Sequence, residues 1–172
     1  MKINTTFVLL GLVPLLASCT SPPIALAPVG PAPFAGGFSS NGTGGLQVFS
    51  CLEEENDDQN QGSSGASPSW YQRTDYNIYD ATGKLVKHVD NTTGHYATSP
   101  RLVSLPPGKY TVRALDKDWQ SVSVPVVIKP GLTTEVHLGK TWEPPAGAEK
   151  NEIVSGPDGH PVGWRADLPA NQ

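Results

Sequence analysis

The chain has 172 residues, of which 37% are hydrophobic and 16% charged, with 18 glycines and 17 prolines. That leaves room for one domain and supplies more turn formers than a helical domain carries. Twelve basic against sixteen acidic side chains give a net charge of −4; no basic stripe is available to neutralise phosphates, which excludes nucleic acid as a partner. Nor does any apolar run reach the roughly 18 residues that mark a transmembrane helix.

The first stretch is an address. Lys2 supplies a positive charge, residues 7–16 form an apolar run of signal-peptide length, and small residues Ala17 and Ser18 precede Cys19, so residues 1–18 are expected to be removed on export. Leu16-Ala17-Ser18-Cys19 resembles the lipobox of bacterial lipoproteins. That resemblance implies that Cys19 is diacylated, becomes the new N-terminus and is acylated again on its amine. Two or three acyl chains hold a protein stably at a membrane where one binds only marginally. Thr20, rather than an aspartate, follows the cysteine, which by the same resemblance favours the outer membrane if the cell is Gram-negative. With Cys19 lipidated, Cys51 has no disulfide partner within the chain, and it is read as a small buried hydrophobe.

Residues 19–44 carry Pro/Ala/Val and then Gly/Ser/Asn stretches, a composition expected to form a disordered tether. Residues 46–52 are the first strand candidate. An acidic and polar loop follows from 53 to 67; it lacks the Asp-x-Asp-x-Asp-Gly alternation that would wrap carboxylates around calcium. Residues 70–80 resume an extended pattern, and Asp80-Ala81-Thr82-Gly83 turns the chain into a strand over 84–89. Residues 102–116 read as a hairpin through Pro106-Pro107-Gly108, with Tyr110, Val112 and Ala114 on one face and Lys109, Thr111 and Arg113 on the other. Val122, Val124, Val126 and Ile128 form the next inward row; Pro125 among them cannot donate to a ladder, so this strand is expected at a sheet edge or bulge. Leu132, Thr134, Val136 and Leu138 form the last. About seven short strands predict an all-β chain, a single antiparallel sandwich over residues 45–140. In the tail, 141–172, Pro157-Asp158-Gly159 predicts a further hairpin, packed by Trp142 and Trp164.

Within residues 76–138, the segments Ile-Tyr-Asp-Ala-Thr-Gly-Lys, Leu-Pro-Pro-Gly-Lys-Tyr-Thr-Val-Arg-Ala, Trp-Gln-Ser-Val-Ser-Val-Pro-Val-Val-Ile and Lys-Pro-Gly-Leu-Thr-Thr-Glu-Val-His-Leu resemble the carboxypeptidase regulatory-like, transthyretin-like β-sandwich family. Trp119 stands where such domains usually carry a Gly-Tyr or Gly-Phe pair, and the glycine is missing. The resemblance implies a module that binds, spaces or stabilises rather than catalyses.

No nucleophile elbow, zinc-protease helix, Cys-x-x-Cys or phosphate loop occurs, so neither catalytic residues nor a cofactor or metal are assigned. The histidines His88, His95, His137 and His160 are scattered; Glu135 and His137 share an outward strand face and read as an ordinary exposed pair, one ligand short of a metal site. Two functions remain. One is a membrane-anchored structural or interaction lipoprotein that meets an envelope protein through its sheet edge or polar face. The other is a glycan- or peptidoglycan-binding lipoprotein stacking sugars on Trp70, Tyr71, Tyr96, Trp119, Trp142 or Trp164.

Overall fold

The computed structural model describes residues 26–33, 42–55, 70–93, 99–139 and 142–167. Cys19, Tyr96, the signal segment and most of the acidic loop lie outside them, as do the side chains of Trp70 and Tyr71. The described residues are all-β: twelve strands and one 3-10 turn at Lys150–Glu152.

Alternation sets the centre of the fold. Strands β1 (Val29–Gly30), β2 (Gly44–Phe49), β3 (Leu52–Glu55), β4 (Trp70–Arg73), β5 (Tyr76–Asp80), β6 (Leu85–Val89), β7 (Val103–Leu105), β8 (Gly108–Leu115), β9 (Ser121–Ile128), β10 (Thr133–His137), β11 (Ile153–Ser155) and β12 (Pro161–Arg165) follow one another along the chain. They make a seven-stranded sheet ordered β11-β12-β1-β9-β8-β5-β6, a three-stranded sheet β10-β2-β7 and a β3-β4 ribbon. Val112 and Ala114 of β8, Val124, Val126 and Ile128 of β9, and Tyr76 and Ile78 of β5 are buried in one cluster with Leu46 and Val48 of β2, Val103 and Leu105 of β7 and Val136 of β10. The two larger sheets therefore share a single core, and successive residues facing opposite sides of each strand explain which side chains enter it. Tyr110, the first of the inward row on β8, is only half-buried.

The β5–β6 hairpin turns where the sequence places it. Asp80 Oδ1 accepts hydrogen bonds from the Thr82 and Lys84 amides and the Thr82 hydroxyl, and Gly83 takes the positive φ of 83° that completes the turn.

Four expectations are corrected. First, residues 102–116 are not a hairpin: β7 pairs with β2 in the small sheet, whereas β8 pairs with β5 and β9 in the large one. Pro106 and Pro107 have no amide to offer a ladder, so the turn carries the chain between sheets, and the Tyr110 hydroxyl donates to the Pro106 carbonyl across the corner. Second, the pairing is not wholly antiparallel. β10 runs parallel to β2, and β1 runs parallel to β9. Third, β9 is internal rather than an edge. Pro125 sits opposite Thr111, and the two-residue β1 on the other side pairs at Val126 alone, a ladder short enough to tolerate a missing donor. Fourth, the domain is wider than residues 45–140. Val29, within the stretch expected to be tether, is fully buried, and the tail hairpin β11–β12 joins the large sheet by pairing antiparallel with β1.

The β1–β12 junction depends on missing side chains. A Cβ on Gly163 would stand 2.6 Å from Val29 Cγ1 and 2.9 Å from the Glu135 carbonyl, and one on Gly30 would stand 2.6 Å from Ala166 Cα. Strands can approach this closely only where glycine leaves the space.

Candidate functional site

A cleft of about 300 Å³ opens where the end of β2, the β3–β4 ribbon, the turn before β9 and the chain after β10 converge. It is built from the turn upward. The Asp116 carboxylate accepts the amides of Asp118 and Gln120 at 2.9 Å each, and the Trp119 amide donates to the Asp116 carbonyl at 3.0 Å. This closure places Trp119 at φ 60°, the one non-glycine residue with positive φ among the described residues. For a bulky residue that conformation costs on the order of 1–3 kcal/mol. The indole carried on this backbone is 52% exposed at the cleft.

The opposite wall is a ring stack. His137 lies between Phe49, its partner in the β10–β2 register, at 4.4 Å and 18°, and Trp142 at 4.3 Å and 4°. The Arg73 guanidinium caps Phe49 at 5.0 Å, and its Nη1 donates to the Ser50 carbonyl at 2.8 Å. Burial draws the Arg73 pKa below its ordinary value, with Cys51 acting in the opposite sense. His137 Nε2 lies 3.2 Å from Glu135 Oε2, and that hydrogen bond holds the Glu135 carboxyl below the usual range against the opposing effect of burial. Lys117, beside Trp119, pairs with Asp118 and, at 3.0 Å, with Asp158 of the β11–β12 turn. The hydrogen bonds that Lys117 donates to both aspartates raise its pKa.

The sequence-derived aromatics therefore divide. Trp119 and Trp142 line one cleft, the former exposed and the latter half-buried. Trp164 is 7% exposed and pairs with Ile153 and Gly30 inside the large sheet, so it is removed as a ligand platform. It is held there by two neighbouring strands, one of which the sequence pattern did not reveal. The expectation of an exposed Glu135–His137 pair is also overturned: His137 is 6% exposed, because Trp142 folds back over the face of β10 that the alternation left to solvent. His88 contacts Asn77 and Asp75 on the surface, and His160 Nε2 meets the Gly139 carbonyl at 2.8 Å. Cys51 is buried at the cleft, as read. Arg73, Lys117 and Phe49 went unremarked as site residues. The signal was a Trp-Tyr-Gln-Arg strand and an Asp-Lys-Asp-Trp turn, neither of which reveals alone that they meet. Among the described residues no three His, Cys, Asp or Glu side chains come together to hold a metal ion, and no helix is long and apolar enough to cross a membrane.

What the arrangement offers is ring faces, because Arg73 Nη1, Lys117 and His137 Nε2 are engaged with the Ser50 carbonyl, the two aspartates and Glu135. Comparison with known proteins leaves the assignment to this geometry, since no family model, no curated protein and no solved structure matches the chain.

Proposed function

We propose that the chain is a cell-envelope lipoprotein, anchored through Cys19, whose β domain is a non-catalytic protein-interaction module of the carboxypeptidase regulatory-like, transthyretin-like kind. The lipobox-like Leu16-Ala17-Ser18-Cys19 supports the anchor, and the shared core of two sheets supports the module.

The observation that carries the interaction reading is β6. It is one of the two outer strands of the seven-stranded sheet, β11 being the other, and Leu85, Val86, Lys87 and His88 in succession are exposed, with Leu85 and Val86 about half so. Consecutive exposed residues face opposite sides of a strand, so β6 itself is uncovered on both faces from Leu85 to His88 while β5 beside it keeps Ile78 in the core. An outer strand presents backbone donors and acceptors that an incoming strand can pair with, while its apolar side chains are covered on both faces. Lys84 and Lys87 set the partner's chemistry: they oppose pairing with a second copy of the same edge and favour a strand of an envelope protein that carries carboxylates.

The test places a photo-crosslinking residue at Val86, or at exposed Ser123 on β9 as a control, in the full chain in intact cells. A discrete protein adduct is expected from position 86 only, reduced by Lys87→Glu in the same chain. Equal labelling from both positions would overturn the edge reading. Separately, Cys19→Ser is expected to move the protein out of the membrane pellet; retention there would place the anchor elsewhere.

A further inference from the structure

The chain enters the fold at one end of the large sheet. β1 runs parallel to β9, so the residues before Val29 lie alongside the start of β9, where the turn carrying Trp119 ends. Leu26 packs against the core and shares a small hollow there with Lys117, Val122 and Leu138 and with Pro157 and Asp158 of the β11–β12 turn. Leu26 stands only seven residues after Cys19, and that length of chain spans at most about 25 Å even when fully extended. An acyl anchor at Cys19 therefore keeps this end of the domain beside the bilayer. At the same end Trp119 is half-exposed on a backbone of positive φ. A side chain kept for the core would be buried, and strain that persists at an exposed position points to a use for the side chain. The other exposed large apolar side chains among the described residues lie elsewhere: Leu85 is level with Tyr79 and Thr111, toward the opposite end of β8, and Leu102 packs beside Gly45 at the start of β2. An indole combines an apolar body with a single donor, which suits it to the boundary between headgroups and acyl chains. The turns over 116–120 and 156–160 carry Asp116, Asp118 and Asp158 against the single Lys117, so an anionic lipid surface would repel this end and a zwitterionic one would not.

We propose that the Trp119 end of the domain docks on the membrane surface to which Cys19 ties it, with the indole seated among zwitterionic headgroups. The inference rests on the lipid anchor proposed above. One indole does not hold a free protein at a bilayer; with the anchor in place its contact becomes an intramolecular step at high effective concentration, and it fixes which end of the domain faces the lipid. The strand-addition edge stays clear, since β6 lies three strands along the sheet from β9.

Full-length protein reconstituted into phosphatidylcholine vesicles with brominated acyl chains tests the docking through quenching of tryptophan fluorescence. Flotation with the vesicles, lost in Cys19→Ser, reports on the anchor, and quenching reports on the indole. The parent is expected to float and to be quenched, Trp119→Gly to float with most of the quenching lost, and Trp142→Phe to keep it. Trp119→Gly is expected to melt no lower than the parent, because glycine relieves the positive φ. Mixing phosphatidylglycerol into the vesicles is expected to reduce quenching at low salt, and added salt to restore it. Flotation without quenching, or quenching that Trp119→Gly retains, would overturn the docking and leave the anchor standing; failure to float would overturn the anchor and the docking with it. Markedly lower melting of Trp119→Gly would make Trp119 a packing residue, and quenching that rises with phosphatidylglycerol would assign the contact to a basic surface elsewhere on the domain; either result overturns the proposal as well.

Discussion

The two halves of the seven-stranded sheet are held together by different means. In β5, β8 and β9 neighbouring strands are long, pair antiparallel over many residues and come from one stretch of chain, with eight paired positions from Gly108↔Ile128 to Leu115↔Ser121. In β11, β12 and β1 the strands are short, and β1 reaches its neighbours from far away in sequence, Val29 pairing with Val126 on one side and Arg165 on the other. The first half is stabilised by apolar side chains meeting in the core. The second adds Val29, Val154 and Val162 to that core but depends also on close backbone approach, with Gly30 and Gly163 leaving room for Ala166 and Val29 and the Ala166 amide donating to the Pro28 carbonyl at 2.9 Å. Burial in the first half tolerates neither loss of volume nor polar intrusion; closure in the second tolerates no added volume.

Opposite substitutions should therefore break the two halves. Ile78, fully buried and paired with Val112 of β8, is the point of greatest expected loss. Ile78→Ala is expected to lower stability by about 2–5 kcal/mol through lost transfer free energy and the residual cavity, read as a lower denaturation midpoint at unchanged slope. Gly163→Ala adds one methyl in the other half. With Val29 Cγ1 at 2.6 Å and the backbone oxygen of Glu135 at 2.9 Å from the new Cβ, it is expected to cost about 1–3 kcal/mol. Its signature is faster amide exchange in β11 and β12 than in β8. Exchange raised evenly across the sheet would mean that the two halves open as one unit.

The same contrast decides what could be read in the sequence. The inward rows on β8, β9 and β10 and the Asp80 turn were legible because period-two alternation and turn chemistry are local. The partners of those strands were not. Nothing in Leu-Val-Ser-Leu-Pro-Pro-Gly-Lys-Tyr says that the strand before the prolines joins a different sheet from the strand after them. Two residues, Val29 and Gly30, are too few to carry a pattern, and they lie in a Pro/Gly stretch whose composition reads as tether. At the candidate site, the aromatic residue types were legible but not their sorting. Trp164 and Trp119 have the same chemistry, and only the pairing of β12 with β1 and β11 buries one, while the Asp116 turn turns the other outward. His137 was placed outward by alternation, correctly for its strand; Trp142, five residues on, then covered that face.

The smallest expected effect concerns the ion pairs that join the halves. Lys117, in the turn between β8 and β9, reaches Asp158 in the turn between β11 and β12. The Asp158 carboxyl is held below its ordinary value, chiefly by the His160 amide and then by Lys117, and Glu135 is lowered chiefly by its hydrogen bond with His137. A carboxyl whose folded pKa is depressed contributes stability above its unfolded pKa, and that contribution is lost as pH falls through the folded value. Lys117 is raised, so its share is complete below its unfolded pKa and is lost as pH rises through the folded one. The junction is therefore expected to be firmest between the carboxylate and lysine ranges and to loosen at both extremes. Because Lys117 and Asp158 are in contact with solvent, the change is small and weakened by salt. It is best read as amide exchange at Val154 and Val162 against Val112 and Val124 while pH is lowered through the carboxylate range. Exchange at the first pair is expected to accelerate before that at the second, and Asp158→Asn, by removing the ionisable group, is expected to flatten the part of that pH dependence that Glu135 does not supply. Parallel acceleration of all four amides would mean that acid acts on the whole sheet at once, and that the Lys117–Asp158 pair contributes nothing to joining its halves.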